Sequence, residues 1–258
     1  MTSQRKKGRT VVDDIVESLC HDIFRGKHEV GENLPPLRTM AQTYDVTLPT
    51  MQRVVARMEE LGMVEARQGS GVKVLEPLQH AAPTAMTFWL HVLTDEPSKA
   101  TEFVSSFVQV RRELGVSFMR ELKQRGLSQE ERTFMEQKVA EFEERARKPM
   151  TYEEALELDF GVMRAWLGIA DTGKVAVFVI LNMFEQLVAS SPAILEAVYE
   201  HPERNALGYR AVYDALVDKD LSEKKFYEEV SALLRTFDMI SMARFEALVE
   251  VQKGRRAE

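Results

Sequence analysis

The sequence predicts a mainly α fold in two parts: three helices closed by a two-stranded hairpin, then an all-α bundle of about seven helices. Three observations predict it. Apolar residues recur every three or four positions over most of the 258 residues. Strand-like alternation is confined to MVEARQGSGVKVL, around a QGSG turn. Beyond about residue 81 no second strand-rich stretch follows.

Taken in order, TVVDDIVESLCHDIFRG places Val12, Ile15, Val16, Leu19 and Ile23 on one helical stripe that Gly26 ends. KHEVGENLPP is a turn-rich connection. LRTMAQTYD makes a short second helix with Leu37, Met40, Ala41 and Tyr44 on one side, and Asp45 and Val46 turn the corner. In DVTLPTMQRVVARMEELG, Thr47 is a good N-cap and Pro49 falls in the first turn, whose amides have no intrahelical acceptor. Met51, Val54, Val55, Met58 and Leu61 then face inward, which leaves Leu48, Pro49, Gln52, Arg53 and Arg57 outward or on the flanks. Two helices joined by a tight corner, the second with a polar outer face, followed by a glycine-bearing hairpin, make a winged helix-turn-helix. A helix so placed is shaped for the major groove.

EPLQHAAPT marks the boundary, so the expected division is a winged helix-turn-helix at 1–76, a linker at 77–85 and a helical domain at 86–258. Phe103, Phe107, Val110, Leu114, Phe118 and Leu122 predict one long helix over about 98–125. Ser128 with Glu131, and Thr151 with Glu154, are capping-box pairs that open the next two helices. LELDFGVMRAWLGIA and VAVFVILNMFEQLVAS are apolar on most sides and belong inside the bundle, with a strand as the alternative for VAVFVIL. AILEAVYE, ERNALGYRAVYDALVD and the long C-terminal stretch complete it.

Composition limits the partners. The net charge of -7 lies wholly downstream, because residues 1–76 hold 11 Lys/Arg against 11 Asp/Glu. Phosphate attraction is local, screened beyond about 10 Å at 0.1 M salt, so overall acidity does not exclude DNA. The single cysteine, Cys20, forms no internal disulfide, and RKKGR near the start is not followed by a secretory apolar run; a cytoplasmic protein is expected. Val175 to Phe184 is too short to span a bilayer. A Gly-rich phosphate loop, HExxH, a CxxC pair and a nucleophile elbow are all missing, so an enzymatic tail is the rejected rival. An architectural dimer with a filled bundle is the other rival.

LPPLRTMAQTYDVTLPTMQRVVARMEELGMVEARQGSGVKV resembles the DNA-binding domain of the GntR superfamily over about 65 residues. The resemblance implies a regulator that binds a palindromic double-stranded DNA operator as a homodimer. It places DNA contacts at Arg38, Thr47, Leu48, Pro49, Thr50, Gln52, Arg53, Gln68, Gly69 and Ser70. Arg38 and Thr47 would hold phosphates, Arg38 also reaching a guanine edge, and Gly69 would let the wing backbone approach the minor groove. Where studied relatives often carry guanine-reading arginines, this chain has Leu48 and Gln52; Gln pairs with adenine and Leu offers a thymine methyl only apolar contact, so an A·T-richer operator is expected. Arg53 and Arg57 have the alternative of being solvated or paired with Glu60, and Arg5, Lys6, Lys7 and Arg9 that of a basic tail.

A long helical tail is similar to the FadR group, most of whose members hold a metal through one Asp and three His. Here the candidate Asp is Asp159, the position one turn on is Met163, and His21, His28, His80, His91 and His201 lack the required spacing. No metal or other cofactor is expected. QVRREL, ELDFGVMR, ILNMFEQL and HPERNALGYRAVYDAL resemble the metal-free, fatty-acid-responsive type, which implies an acyl-coenzyme A effector; a small organic acid is the alternative. The final helix lacks the glycine and tryptophan pattern of that coenzyme A site. Candidate effector residues are Arg111, Asp159, Met163, Asn182, Tyr209 and Tyr213. Arg111 interrupts an apolar stripe and needs an anion, either an internal carboxylate such as Asp159 or Glu113 or a ligand's. Asn182, among apolar neighbours, needs a partner for its amide, and the two tyrosines, one turn apart, fit a core with satisfied hydroxyls more readily than a pocket wall.

Overall fold

The computed structural model describes residues 10–67, 69–80, 85–93, 96–169 and 174–257. The chain divides into two compact units, Met1–Leu93 and Thr94–Glu258.

In the first unit, α1 (Val11–Phe24) begins at a reciprocal capping box between Thr10 and Asp13. It buries Ile15, Val16, Leu19, Cys20 and Ile23, with Val12 half-buried. α2 (Leu37–Thr43) and α3 (Leu48–Glu60) follow. The corner between them uses Asp45 at φ 50°, a left-handed conformation that a short polar side chain tolerates, and the Val46 amide donates to the Ala41 carbonyl at 2.9 Å. Met51, Val54, Val55 and Met58 turn inward as the helical period requires. The wing is β1 (Val64–Arg67) paired antiparallel with β2 (Gly71–Val74), in register from Val64↔Val74 to Arg67↔Gly71. Gly69 and Gly71 take φ of 80° and 90°, which let the chain reverse within so short a connection. The Ala66 amide donates to Glu59 Oε1 at 2.7 Å, tying wing to α3.

α4 (Pro77–His80) and α5 (Met86–Leu93) come next. α5 corrects the expected boundary: residues 86–93 belong to the first unit, not to the helical domain. It is held by apolar burial on α1, with Trp89 and Phe24 edge to face at 4.9 Å and His91 Nε2 3.2 Å from Glu17 Oε1.

The second unit is α6 (Pro97–Arg125), α7 (Gln129–Ala146), α8 (Tyr152–Leu167), α9 (Lys174–Ala189), α10 (Pro192–Tyr199), α11 (Pro202–Val217) and α12 (Glu223–Ala257). The two capping boxes read from sequence form with both reciprocal bonds, at Ser128/Glu131 and Thr151/Glu154. VAVFVIL is helical, within α9. The stripe on α6 is rotated from the expected one: Val110 is exposed, while Val104, Val116, Met119 and Leu122 are buried. α12 packs along α6, α11 on α7, and α7, α9 and α10 on α8. Ion pairs fasten the seams. Arg210 on α11 grips Glu143 (2.8 Å) and Glu136 (2.6 Å) on α7, and Arg244 on α12 reaches Glu196 (2.8 Å) and Glu200 (2.9 Å) at α10. Lys123 donates to the Ala215 (3.0 Å) and Leu216 (3.3 Å) carbonyls at the end of α11, where the helix leaves acceptors free. No single helix among the described residues is long and apolar enough to cross a membrane; the apolar pair Ala176–Ala189 and Pro192–Tyr199 bends by 102°.

Candidate nucleic-acid interface and bundle cavity

The outer face of α3 is built by its own periodicity. With four residues committed to the core, Pro49, Gln52 and Arg53 are left exposed and Leu48 and Thr50 half-buried. The Thr47 hydroxyl accepts from the Thr50 amide at 3.3 Å and lies 2.9 Å from the Thr50 hydroxyl, so Thr47 fixes the helix start as well as facing outward. Arg38 on α2 is exposed. Among the described residues, Arg38, Gln52 and Arg53 have no hydrogen-bond or ion-pair partner, whereas Arg57 is paired with Glu60 at 2.7 Å. Gly69 and Ser70 are exposed at the tip of the wing. Gln68 lies outside the described residues, as do Arg5, Lys6, Lys7 and Arg9. The unit therefore offers a row of unengaged donors with a wing beside it, which is what phosphate and base-edge contacts require. Cys20 takes no part: it is fully buried in the core of this unit, and burial pushes its thiol up to about 12, which keeps it inert.

The second unit holds a half-open cavity, with about 230 Å³ of room for the centres of water-sized molecules, between α6, α8, α9, α10, α11 and α12. Its wall is mostly Phe, Leu, Val and Ile, with polar groups gathered in two clusters. In the first, Asp159 on α8 is buried and both its carboxylate oxygens are taken: the Tyr199 hydroxyl donates to Oδ2 at 2.7 Å and the Tyr209 hydroxyl to Oδ1. Burial raises the Asp159 pKa, against the opposing pull of the two tyrosine bonds and the Arg111 charge. The same burial, with the nearby carboxylate, pushes both tyrosines well above their ordinary value. In the second, Asp238 on α12 is 5% exposed and bridges Arg111 (2.9 Å to Oδ1) and Arg112 (2.6 Å to Oδ2) on α6. Burial works against the Arg111 charge, but Asp238 and then Asp159 outweigh it and its pKa is raised.

Of the expected effector residues, Arg111, Asp159, Met163 and Tyr209 line this cavity. Two do not. Asn182 is exposed on the outer face of α9, because the inward positions there go to Leu181, Phe184 and Leu187, so its amide needs no buried partner. Tyr213 is buried away from the cavity and donates to the Arg132 carbonyl at 3.3 Å, serving the core, the other role its spacing allowed. The partner of Arg111 is Asp238, not Asp159 or Glu113. Sequence reasoning misses Asp238 because it sits in LLRTFDMISM, where nothing in the local pattern marks it; an aspartate on an otherwise apolar stripe is the available signal. Trp166, also on the wall, is overlooked because a tryptophan at helical spacing reads as core.

Asp159, with two hydroxyl donors on its oxygens and Met163 one turn on, does not suit a divalent cation, which wants unprotonated oxygen or imidazole donors. Among the described residues no group of three or more His, Cys, Asp or Glu is placed to hold one.

Residues 11–74 match the family described as bacterial regulatory proteins, gntR family. The HTH-type transcriptional regulator Mce2R of Mycobacterium tuberculosis is 31% identical over 81 residues, 31% of this chain and 34% of that protein. The HTH-type transcriptional regulator YhcF of Bacillus subtilis is 27% identical over 118 residues, 45% of this chain and 88% of that protein. The Uxu operon transcriptional regulator of Escherichia coli is 37% identical over 54 residues, 21% of each chain. The chain spans about a third of the length of the mycobacterial relatives it matches.

Proposed function

We propose, from the match of residues 11–74 to the gntR family of bacterial regulatory proteins, that the chain is a cytoplasmic transcriptional regulator, not an enzyme, that binds a palindromic operator as a homodimer and releases it when an effector fills the bundle cavity. The observation that carries the DNA half is the exposed row of Arg38, Gln52 and Arg53, without partners among the described residues, beside the wing glycine Gly69. In this reading Arg38 and the α3 N-terminus hold phosphates, Gln52 reads an adenine edge, and Leu48 and Pro49 make apolar contact with thymine. Such contacts favour A·T at those positions. The relatives named as transcriptional regulators support the same reading.

The sensor half rests on the apolar cavity with its polar clusters, a form that suits a small amphiphile. Acyl-coenzyme A, implied by the resemblance to the FadR group, and an organic acid are the two effector classes. The chain responds to an effector only if that molecule binds the free and DNA-bound arrangements with different affinity. The test is selection of bound duplexes from a random pool by the full chain, followed by anisotropy of the enriched duplex at fixed salt. A palindrome with A·T at the Gln52-facing positions is expected. Failure to enrich any sequence overturns the regulator reading, and a guanine at those positions overturns the assigned base contacts.

A further inference from the structure

α12 has two apolar faces. One is its core side, where Phe226, Val230, Phe245 and Val249 are buried. The other faces solvent. At about 3.6 residues per turn, Ala232, Met239, Ile240, Ala243, Ala247 and Val251 fall on one stripe turned away from Phe245, and all six are exposed. Met239 is 72% exposed, more than any other large hydrophobic among the described residues. α6 runs antiparallel beside this helix, since Arg111 meets Asp238 and Arg120 meets Glu223, so the exposed Val110 stands level with Met239 and widens the patch. The outward side of α7 is the contrast: there Phe134 and Ala140 stand singly among Glu130, Gln137, Glu141 and Glu144. Scattered apolar residues are ordinary on a surface, whereas a contiguous patch marks an interface.

Charge selects the occupant. Arg235 lies eight residues before Ala243 and Glu250 seven after it, on the same flank of the stripe. Both are exposed, and neither has a hydrogen-bond or ion-pair partner among the described residues. A second α12, antiparallel and related by a two-fold axis at Ala243, brings Arg235 of each copy level with Glu250 of the other. The large Ile240 then stands opposite the small Ala247, and Ala243 meets its own copy. Glu246, on the same flank, stays at the wet rim. A parallel copy instead sets Glu250 against Glu250, which like-charge repulsion disfavours. Area agrees with this occupant. Ala232 to Val251 is about 30 Å of helix, and α12 with α6 beside it, each about 10 Å wide, offers about 600 Å² per copy. Stable interfaces bury about 1,200 Å² or more in total, a bound this face reaches.

We propose that two copies of this chain associate through α12, antiparallel about Ala243, with Val110 of α6 at the edge of the contact. The inference rests on the homodimer reading above and names the surface through which the copies meet. Helix axes about 8–10 Å apart put the two facing Ala243 Cα atoms about 4–5 Å apart, within reach of a disulfide.

The one native thiol, Cys20, is buried and inert, so a single introduced cysteine reports alone. Ala243→Cys in the full chain is oxidised with diamide and run on a non-reducing gel, with Gln137→Cys on α7 as the control. Sedimentation equilibrium gives the dimer Kd, and circular dichroism confirms that each variant is folded. The wild-type chain is expected to sediment as a dimer at micromolar concentration, and Ala243→Cys to cross-link where Gln137→Cys does not. Arg235→Glu should raise Kd about tenfold, because symmetry turns two ion pairs into two repulsions, and adding Glu250→Arg should restore it. A dimer in which Ala243→Cys stays uncross-linked, or in which the charge exchange restores nothing, overturns this face and leaves the homodimer reading standing. A wild-type monomer overturns the proposal and gives the face to a different partner. In that case, two copies loading on the enriched duplex keep the homodimer reading through other contacts, and one copy removes it.

Discussion

Asp238→Asn tests the polar end of the bundle most directly. Asp238 is 5% exposed and supplies the one carboxylate bonded to both Arg111 and Arg112, whose side chains are 33% and 16% exposed. Asparagine keeps the shape but removes the charge and turns an NH₂ group toward one guanidinium. Breaking a fully buried pair costs about 3–5 kcal/mol, and the partial exposure of Arg111 reduces that to about 2–4 kcal/mol. For a unit of this size a loss of about 2–4 kcal/mol lowers Tm by about 5–15 °C. Far-UV circular dichroism of the full chain, with urea midpoints in parallel, measures it. Glu113→Gln is the control: Glu113 is exposed and 3.6 Å from Arg112 Nε, and its loss should leave Tm within scatter. A Tm unchanged by Asp238→Asn would refute the idea that this aspartate holds the arginines in place.

Other outcomes follow from the same geometry. Arg38→Ala should weaken operator binding at every sequence and reduce the salt slope by about one, checked by anisotropy across a salt series. In Gly208→Ala the new Cβ would meet Phe237 Cε2 and Cζ at 2.9 Å across the α11–α12 contact; overpacking of about 1–3 kcal/mol and loss of cavity ligand binding are expected, read by urea unfolding and calorimetry. Asp159 has a raised pKa in the fold, so the folded state takes up a proton between the ordinary carboxylate value and that raised value. Wild-type stability relative to Asp159→Asn should therefore fall as pH rises above about 4, and a difference in urea midpoint that stays flat up to about pH 7 would show that Asp159 does not titrate this way.

Much of the head unit is legible in the sequence because local signals agree there. A helical stripe, an N-cap at Thr47, a corner at Asp45 and an alternating hairpin with glycines each depend on residues close in the chain, and together they set which side of α3 faces outward. The capping boxes at Ser128 and Thr151 are readable for the same reason. Local pattern is weaker in the bundle. α9 is apolar on most sides, so its period does not say which face is inner, and Asn182 reads as inward although Leu181 and Phe184 hold that side. The composition shift places 86–93 at the start of the helical domain, but the edge-to-face pairing of Trp89 with Phe24, 65 residues apart in the chain, groups it with the head.

By itself, then, the sequence determined the order of the head's first three helices and wing, the capped helix starts and the outward-facing row on α3, since each follows from period and turn chemistry within about one helix length. Tertiary structure alone decided the bundle site. Asp238 meets Arg111 across 127 residues, and Tyr199 and Tyr209 meet Asp159 across 40 and 50; the residues can be singled out on their own helices, but which of them pair depends on how seven helices pack together.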